Sequence, residues 1–243
     1  MFRVFVVFLA ILASFGFANA SDESGAIPLA VHSASQPVNV DELLNPNHPV
    51  WVQAKGHSLR FHRTPPLYSD GPFDDGERPE ASVQIVRRQS GDLYVKLQWN
   101  DATEDLFRQG DRHPDGGESH IYKTHTSKTD AFGDAACLMV PKSRKPMESY
   151  PSMMMGDKAN PVDLLFWQAG RGFSLLKAHG RATTEALSAE LAGKSYRTPQ
   201  GWVIIFVLTD AADSIPVCFA IWEGSKAHRD GLKYYSLWYE IRL

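Results

Sequence analysis

Short apolar runs separated by glycine, proline, aspartate and asparagine make up most of the chain from Trp51 onward. In the clearest run every second residue from Leu93 to Trp99 is large and apolar, which is the pattern of a half-buried β-strand. Ser90-Gly91-Asp92 precedes it and predicts a hairpin with the run Val83–Val86. The pattern predicts further strands at Ala135–Val140, Val162–Trp167, Trp202–Leu208, Val217–Trp222 and Tyr234–Arg242.

Helical periodicity is weak along the whole chain. It predicts a short helix at Val40–Leu44 and one or two helical turns at Thr183–Leu191. Regularly spaced strands with long polar connections predict an all-β fold, an antiparallel β-sandwich with long loops and at most short helices. No repeat or low-complexity linker divides the chain, so we expect one domain over 46–243, preceded by a polar N-terminal arm over 21–45.

Residues 1–20 have a different composition from the rest of the chain. Arg3 carries the only charge, Val4–Phe17 is almost continuously apolar, and Ala18-Asn19-Ala20 has the small-x-small form of a cleavage site. These are the features of a secretory signal peptide, and the apolar stretch is short for a membrane span. We therefore expect residues 1–20 to be removed and the mature protein to be periplasmic, without a membrane span. An uncleaved N-terminal anchor is the alternative.

Charge and cysteine content exclude several classes of protein. The chain has 25 Lys+Arg against 28 Asp+Glu and no basic block, which argues against a nucleic-acid-binding protein. Two cysteines cannot build a disulfide-dense scaffold or a four-cysteine metal site. Cys137 and Cys218 lie in apolar runs and are interpreted as small core residues, with a disulfide as the alternative in an exported protein.

Motifs for catalysis are absent from the sequence. There is no Gly-x-Ser-x-Gly elbow, Walker loop or dinucleotide-binding fingerprint, and no Cys-x-x-Cys-His motif for covalent haem attachment. His113, His120 and His125 lie in a long polar stretch, but their spacings of seven and five match no zinc pattern carried by a helix or a finger. We interpret them as solvated loop residues.

The methionines are more informative. Three of the six are consecutive, Met153, Met154 and Met155, between Pro151-Ser152 and Gly156. One interpretation is a surface loop that folds its thioethers inward. The other is a soft sulfur ligand for copper or for haem iron. The residues alone leave both open.

Four segments in order carry a resemblance to a known family. They are Trp99–Asp105; Phe132–Pro141; Met155-Gly156 with Asn160–Trp167; and Pro216–Gly224 with Gly231–Trp238. Over Trp51 to Leu243 the chain resembles the haem b-binding gamma subunit of the type II dimethyl sulfoxide reductase group. That group includes ethylbenzene dehydrogenase, dimethyl sulfide dehydrogenase, and selenate and chlorate reductases.

The resemblance implies a β-sandwich that holds one b-type haem non-covalently, with a methionine and a lysine as axial ligands. Carried over position by position, the methionine is Met155, directly before Gly156, and the lysine is Lys233. Met153 and Met154 are register alternatives for the methionine. His228 is the main alternative to the lysine.

With both axial positions filled, no position is open for a substrate, so the resemblance implies an electron-transfer subunit that is not itself an enzyme. The implied partners are a molybdenum subunit, an iron–sulfur subunit and, as redox partner, a c-type cytochrome. Two other functions stay open: a carbohydrate-binding β-sandwich with exposed tryptophans, and a periplasmic copper-binding protein that uses Met153–Met155 and nearby histidines.

Overall fold

Two β-sheets stacked face to face form the body of the protein. The computed structural model describes residues 26–64, 78–107, 133–143, 150–209, 211–226, 228 and 231–243. The predicted signal peptide and the loop with His113, His120 and His125 lie outside these residues. The strands are β1 (Ile27–Ala30), β2 (His32–Ser33), β3 (His57–Leu59), β4 (Phe61–Arg63), β5 (Ala81–Arg87), β6 (Leu93–Asn100), β7 (Ala135–Pro141), β8 (Val162–Gln168), β9 (Gly172–Ala178), β10 (Glu185–Ala186), β11 (Gly193–Thr198), β12 (Gly201–Leu208), β13 (Ser214–Trp222), β14 (Tyr234–Ser236) and β15 (Tyr239–Arg242). The helices are α1 (Val40–Leu44), α2 (Val50–Gln53) and a 3₁₀ turn, Gly224–Lys226.

Strand pairing is almost entirely antiparallel. The nine-stranded sheet has the order β1-β15-β13-β7-β8-β9-β10, with β14 on β13 and β4 on β14. The six-stranded sheet has the order β11-β12-β6-β5-β2, with β3 on β5. The parallel pairs among the described strands are β1 with β15 and β2 with β5. The all-β sandwich expected from the alternating pattern is confirmed. Within the described ranges, none of the helices has the length and hydrophobicity that a membrane span requires.

The inward-facing residues of both sheets form one apolar core. The apolar positions of Leu93–Trp99 all point into it, as their spacing predicts. Three tryptophans meet there edge to face, with ring centroids 6.2 Å apart for Trp99 and Trp167 and 4.8 Å apart for Trp167 and Trp202. Edge-to-face pairs of this kind add about 0.5–1.5 kcal/mol beyond their burial. The core therefore ties β6 and β12 of one sheet to β8 of the other.

The predicted β5–β6 hairpin is confirmed. Its turn is closed by the backbone N–H of Arg88 donating to Asp92 O, and by that of Gly91 donating to Arg88 O, each over 2.9 Å. Gly91 has φ of 98°, which glycine adopts without the clash that a Cβ atom brings.

The outer face of the six-stranded sheet is covered by helices, and we call it the helix-covered face. Val86, Tyr94, Ile205 and Val207 pack there, beneath a set of α1 and α2 residues that includes Leu43, Val50 and Trp51. The helix α1 begins with a capping box, in which Asn39 Oδ1 accepts from the Glu42 N–H and Glu42 Oε2 accepts from the Asn39 N–H. The short helix predicted at Val40–Leu44 is thus confirmed.

The outer face of the nine-stranded sheet carries a second apolar cluster, and we call it the methionine-loop face. Its sheet residues include Cys137, Met139, Leu164, Cys218 and Trp222. Tyr150, Met153 and Met155 pack on it from the segment 150–156, the methionine loop, which precedes β8.

Two local predictions are wrong. Thr183–Leu191 is not helical: Glu185–Ala186 forms β10 on β9, and the Leu187 N–H donates to Leu175 O. The run Tyr234–Arg242 is two strands, because pairing breaks at Leu237–Trp238. The Ser236 hydroxyl accepts from the Phe219 N–H over 2.9 Å at this break, so a side chain replaces the missing ladder bond.

Candidate functional site

The methionine loop turns back through two consecutive residues in the left-handed region. Met155 has φ of 72° and Gly156 has φ of 76°. A Cβ atom on Gly156 would lie 2.8 Å from Asn160 O, so the position requires glycine for space as well as for φ. A left-handed φ costs a residue with a side chain about 1–2 kcal/mol. The loop holds Met155 in this conformation, and such strain collects at functional sites.

Hydrogen bonds hold the loop closed. The Gly156 N–H donates to Ser152 O over 2.8 Å, and the Gly180 N–H donates to Met155 O over 2.9 Å. Asp157 follows the turn and accepts from the backbone N–H groups of Asn160, Ala159 and Ser152. The hydrogen bond from Asn160 and those from the other two residues hold the pKa of the Asp157 carboxyl below its usual value.

Trp238 fixes the start of the loop on the sheet. Its indole N–H donates to Pro151 O over 3.2 Å, and its ring stacks on Tyr150 with centroids 5.7 Å apart and planes 17° apart. Trp238 lies in the break between β14 and β15. The break that the alternating pattern failed to predict therefore places the residue that anchors the methionine loop.

The three consecutive methionines occupy different environments. Met153 and Met155 are half-buried and pack on the methionine-loop face. Met154 is exposed, and its sulfur accepts from the Arg181 guanidinium over 3.5 Å. The turn therefore brings Met153 and Met155, and not Met154, to the apolar cluster.

Lys233, the residue directly before β14, reaches the same face. Its ammonium nitrogen lies 4.9 Å from the ring centroid of Trp222, a member of that cluster. Its backbone is fixed by Thr64, whose N–H and hydroxyl both lie within 3.0 Å of Lys233 O, and whose hydroxyl oxygen accepts from the Lys233 N–H. The structure thus brings Lys233 and Met155 to one apolar surface.

Cys137 and Cys218 lie beneath this surface as free, buried thiols, which confirms that they are core residues and are not joined by a disulfide. Burial raises the pKa of Cys137 to about 12 and that of Cys218 to about 11. The charge of Lys233 acts on both thiols in the opposite direction.

His228 lies on the other side of β14. It is 1% exposed, and its ring packs edge to face on Tyr234 with centroids 4.8 Å apart. Tyr234 belongs to the core between the sheets, and His228 Nδ1 accepts from the Glu223 N–H over 3.4 Å. The structure does not bring His228 to the methionine-loop face.

The known proteins that resemble the chain are gamma or haem subunits of a dehydrogenase and of reductases. No family model matches the chain. It is 28% identical over 218 residues to the gamma subunit of dimethylsulfide dehydrogenase from Rhodovulum sulfidophilum, covering 80% of this chain and 74% of that one. It is 29% identical over 174 residues to the gamma subunit of chlorate reductase from Ideonella dechloratans, covering 66% and 64%. It is also 29% identical to the candidate haem subunit ORF7 of a respiratory nitrate reductase from Haloferax mediterranei, covering 67% and 57%.

The chain is a homologue of these subunits. The resemblance indicated by its four motifs is confirmed. The match covers less than two thirds of the chlorate and nitrate reductase subunits.

The chain also has a second group of polar residues that sequence reasoning did not single out. Asp101 follows β6, Asp134 precedes β7 and Glu223 follows β13. All three side chains are buried, and they lie at strand ends that belong to both sheets. One oxygen of each lies within 4.8 Å of one oxygen of the other two. The sequence signal that could have revealed the group is that each of three apolar strands has a carboxylate residue directly at its end.

Burial dominates the electrostatics of this carboxylate cluster, which we define as Asp101, Asp134 and Glu223. It raises the pKa of Asp134 to about 6 and that of Glu223 to about 7, and the charge of Asp101 adds to both shifts. Two ionised carboxylates this close repel each other by about 3–4 kcal/mol at an effective dielectric constant of about 20. The charge of Lys226 lowers the pKa of Glu223 without cancelling the effect of burial.

Hydrogen bonds orient all three carboxylates, and Asp101 accepts through Oδ1 from the N–H and the hydroxyl of Thr103. Asp134 accepts from the Asp105 N–H, the Gly224 N–H and the Trp202 indole over 2.9–3.1 Å. Glu223 Oε1 accepts from the Ser225 hydroxyl over 2.9 Å.

Proposed function

We propose that this protein is a periplasmic electron-transfer subunit that holds one non-covalent b-type haem on the methionine-loop face, with Met155 and Lys233 as the axial ligands. The observation that carries the proposal is that a thioether and an amine from distant parts of the chain each contact the same apolar, aromatic cluster. The family of the relatives supports it, since one of them is named a haem subunit.

The residues present fit a haem. Porphyrin is flat and apolar, and the face offers Trp222, which packs edge to face on Phe166 with centroids 5.6 Å apart, beside the stacked Tyr150 and Trp238. Thioether sulfur and neutral nitrogen are iron ligands. The sequence has no Cys-x-x-Cys-His motif, so the haem is held without covalent attachment.

Lys233 can bind iron only as the neutral amine, whereas an ordinary lysine is protonated at pH 7. The neighbouring thiols of Cys137 and Cys218 are neutral at that pH because burial raises the pKa of both. They therefore provide no counter-charge that would favour the ammonium form. An apolar surface and bound iron both favour loss of the proton.

The Met155 thioether would be presented by a turn that is fixed before the haem arrives. Trp238 and Gly180 hold the loop against the sheet, and the left-handed backbone aims the side chain at the cluster. When bound, the haem supplies a reversible one-electron couple, and a methionine ligand raises its potential. With Met155 and Lys233 in place, the chain leaves no coordination position for a substrate, so it is an electron carrier and not the catalytic subunit.

The partners we propose are a molybdenum subunit and an iron–sulfur subunit, with a c-type cytochrome as redox partner. Two relatives are gamma subunits of a dehydrogenase and a reductase, which supports membership of a complex. Residues 1–20, with the features of a signal peptide, support a periplasmic location.

The carbohydrate-binding alternative loses its basis in the structure. It required exposed tryptophans, and all six are less than 9% exposed.

The proposal is tested by producing the full chain in a bacterium that exports it and supplies haem. We expect a red protein with a Soret band and a pyridine haemochrome spectrum of b type, at one haem per chain. Lys233→Ala should change the spectrum of the oxidised form because an axial nitrogen is lost. Lys226→Ala, a lysine of the adjacent turn that contacts Tyr234, is the matched control and should leave the spectrum unchanged.

Two results would contradict the proposal. A correctly exported protein that stays colourless with added haemin would exclude haem binding, and metal-dependent stabilisation by copper without a Soret band would favour the copper alternative. An unchanged spectrum for Lys233→Ala, together with a changed one for a folded His228→Ala, would move the second ligand to His228.

A further inference from the structure

The carboxylate cluster lies apart from the proposed haem site. Asp101 and Asp134 pack at the end of the core between the sheets, where Asp134 accepts from Trp202, whereas the haem ligands lie on the methionine-loop face. Three carboxylates this close are costly to bury unless something positive or a proton joins them.

One carboxylate oxygen in the cluster is unused. Asp101 is 4% exposed, and its Oδ1 accepts from the N–H and the hydroxyl of Thr103. Its Oδ2 is buried and has no hydrogen-bond partner among the described residues. A buried, unused anionic oxygen beside two other carboxylates is the donor arrangement that a hard cation requires.

The guanidinium of Arg197 lies nearby but makes no hydrogen bond to Asp101 Oδ2. Arg197 Nη2 donates to the backbone carbonyl oxygens of Asp101 and Thr103 over 3.0 and 2.9 Å. These bonds shape the loop after β6, and the buried Arg197 Nη1 has no hydrogen-bond partner among the described residues.

The donor set suits calcium, which takes several carboxylate oxygens directly and in flexible geometry, and the upper limit on their separation permits it. Calcium binds oxygen ligands at about 2.4 Å, so oxygens on opposite sides of the ion lie about 4.8 Å apart. The three carboxylate oxygens lie within 4.8 Å of one another. Magnesium demands a tighter octahedron at about 2.1 Å and keeps several of its waters.

We propose that Asp101, Asp134 and Glu223 form a structural calcium site that joins the strand ends of β6, β7 and β13. The ion ties the six-stranded sheet to the nine-stranded sheet at one end of the sandwich, and water completes its coordination. The site stands independently of the proposed haem, since none of its residues lies on the methionine-loop face.

The test measures calcium binding to the full chain after treatment with a chelator. Equilibrium dialysis with ⁴⁵Ca should give one ion per chain, and calcium at about 100 times the Kd should raise the Tm by about 5–10 °C. Asp101→Asn should weaken binding by at least about tenfold because it removes one anionic ligand. Glu104→Gln, an exposed carboxylate three positions along the chain, is the matched control and should bind like the wild type.

Absence of calcium binding and of any Tm shift in the chelator-treated wild type would overturn the proposal. Equal binding by Asp101→Asn and the wild type would place the ion elsewhere and overturn it as well. If Asp101→Asn does not fold, the wild-type dialysis alone decides. The haem spectrum, measured on the same samples, separates failure of this site from failure of the haem proposal.

Discussion

The helix-covered face and the methionine-loop face place a lysine over a tryptophan in almost the same way. Lys96 Nζ lies 4.7 Å from the Trp51 ring on the first, and Lys233 Nζ lies 4.9 Å from the Trp222 ring on the second. What differs is the cover: two short helices, of which α1 is capped, on one face, and a loop that holds Met155 at a left-handed φ on the other.

The comparison teaches that the lysine–tryptophan pair by itself is no sign of a cofactor site. On the helix-covered face, Gln84 Nε2 donates to the carbonyl oxygens of Trp51 and Ala54 and locks α2 to the sheet. That face is closed by the chain itself. On the methionine-loop face, a soft sulfur donor at a strained position lies beside the lysine, and this second donor makes the arrangement a candidate for iron.

Among the variants that distinguish the two faces, we expect Trp51→Ala to change the free energy of unfolding most. Trp51 is 2% exposed, so its loss should lower the free energy of unfolding by about 3–5 kcal/mol. The haem spectrum should not change. Val52→Ala, its exposed neighbour on α2, is the control and should change stability by less than about 0.5 kcal/mol. Both values come from denaturant unfolding, and loss of haem from the folded Trp51→Ala variant would show that the faces are coupled.

Lys96→Met should change the free energy of unfolding by a smaller amount and in the opposite direction, toward higher stability. Burial lowers the pKa of Lys96 to about 8, so the folded state holds its proton less tightly than the unfolded state. Between about pH 8 and the unfolded value of 10.5 the unfolded chain binds more protons, so the wild type gains stability as pH rises through that window. Below pH 8 the cost of burying the charge is fully present, up to about 3 kcal/mol.

We therefore expect Lys96→Met to be more stable than the wild type at pH 7, by about 1–3 kcal/mol, with the difference shrinking between pH 8 and 10.5. Lys194→Met is the matched control, because Lys194 is an exposed lysine on the edge strand β11 and pairs with Ile205 of the same face. A difference between Lys96→Met and the wild type that does not vary with pH would contradict the burial argument.

Alternation predicted the strands that are buried on at least one full face and missed the others. β9 and β11 are half-buried along most of their length, so their sequences carry no clean period of two. The break after Ser236 was also hidden, because the hydroxyl that replaces a ladder bond gives no hydrophobic signal. Local pattern is informative where a strand is fully buried or buried along one face, as in β7 and β6.

For the candidate site, the motifs led to Met155 and Lys233, but periodicity gave no reason to prefer Met155 over Met154. That distinction depends on the left-handed turn, which turns Met154 toward Arg181 and solvent. The carboxylate cluster was not foreseen, because Asp101, Asp134 and Glu223 are far apart in sequence and meet only through the order of β6, β7 and β13 in the two sheets.

The most direct test of the central claim compares Met155→Leu with Met154→Leu and Met153→Leu in the haem-loaded full chain. Leucine keeps the apolar volume and removes only the sulfur. The measurement is the absorption spectrum of the reduced protein together with its reduction potential. The account predicts that Met155→Leu alone changes the reduced spectrum and lowers the potential, because a methionine ligand stabilises ferrous iron. A wild-type spectrum and potential for Met155→Leu, above all with a change in Met153→Leu, would contradict it.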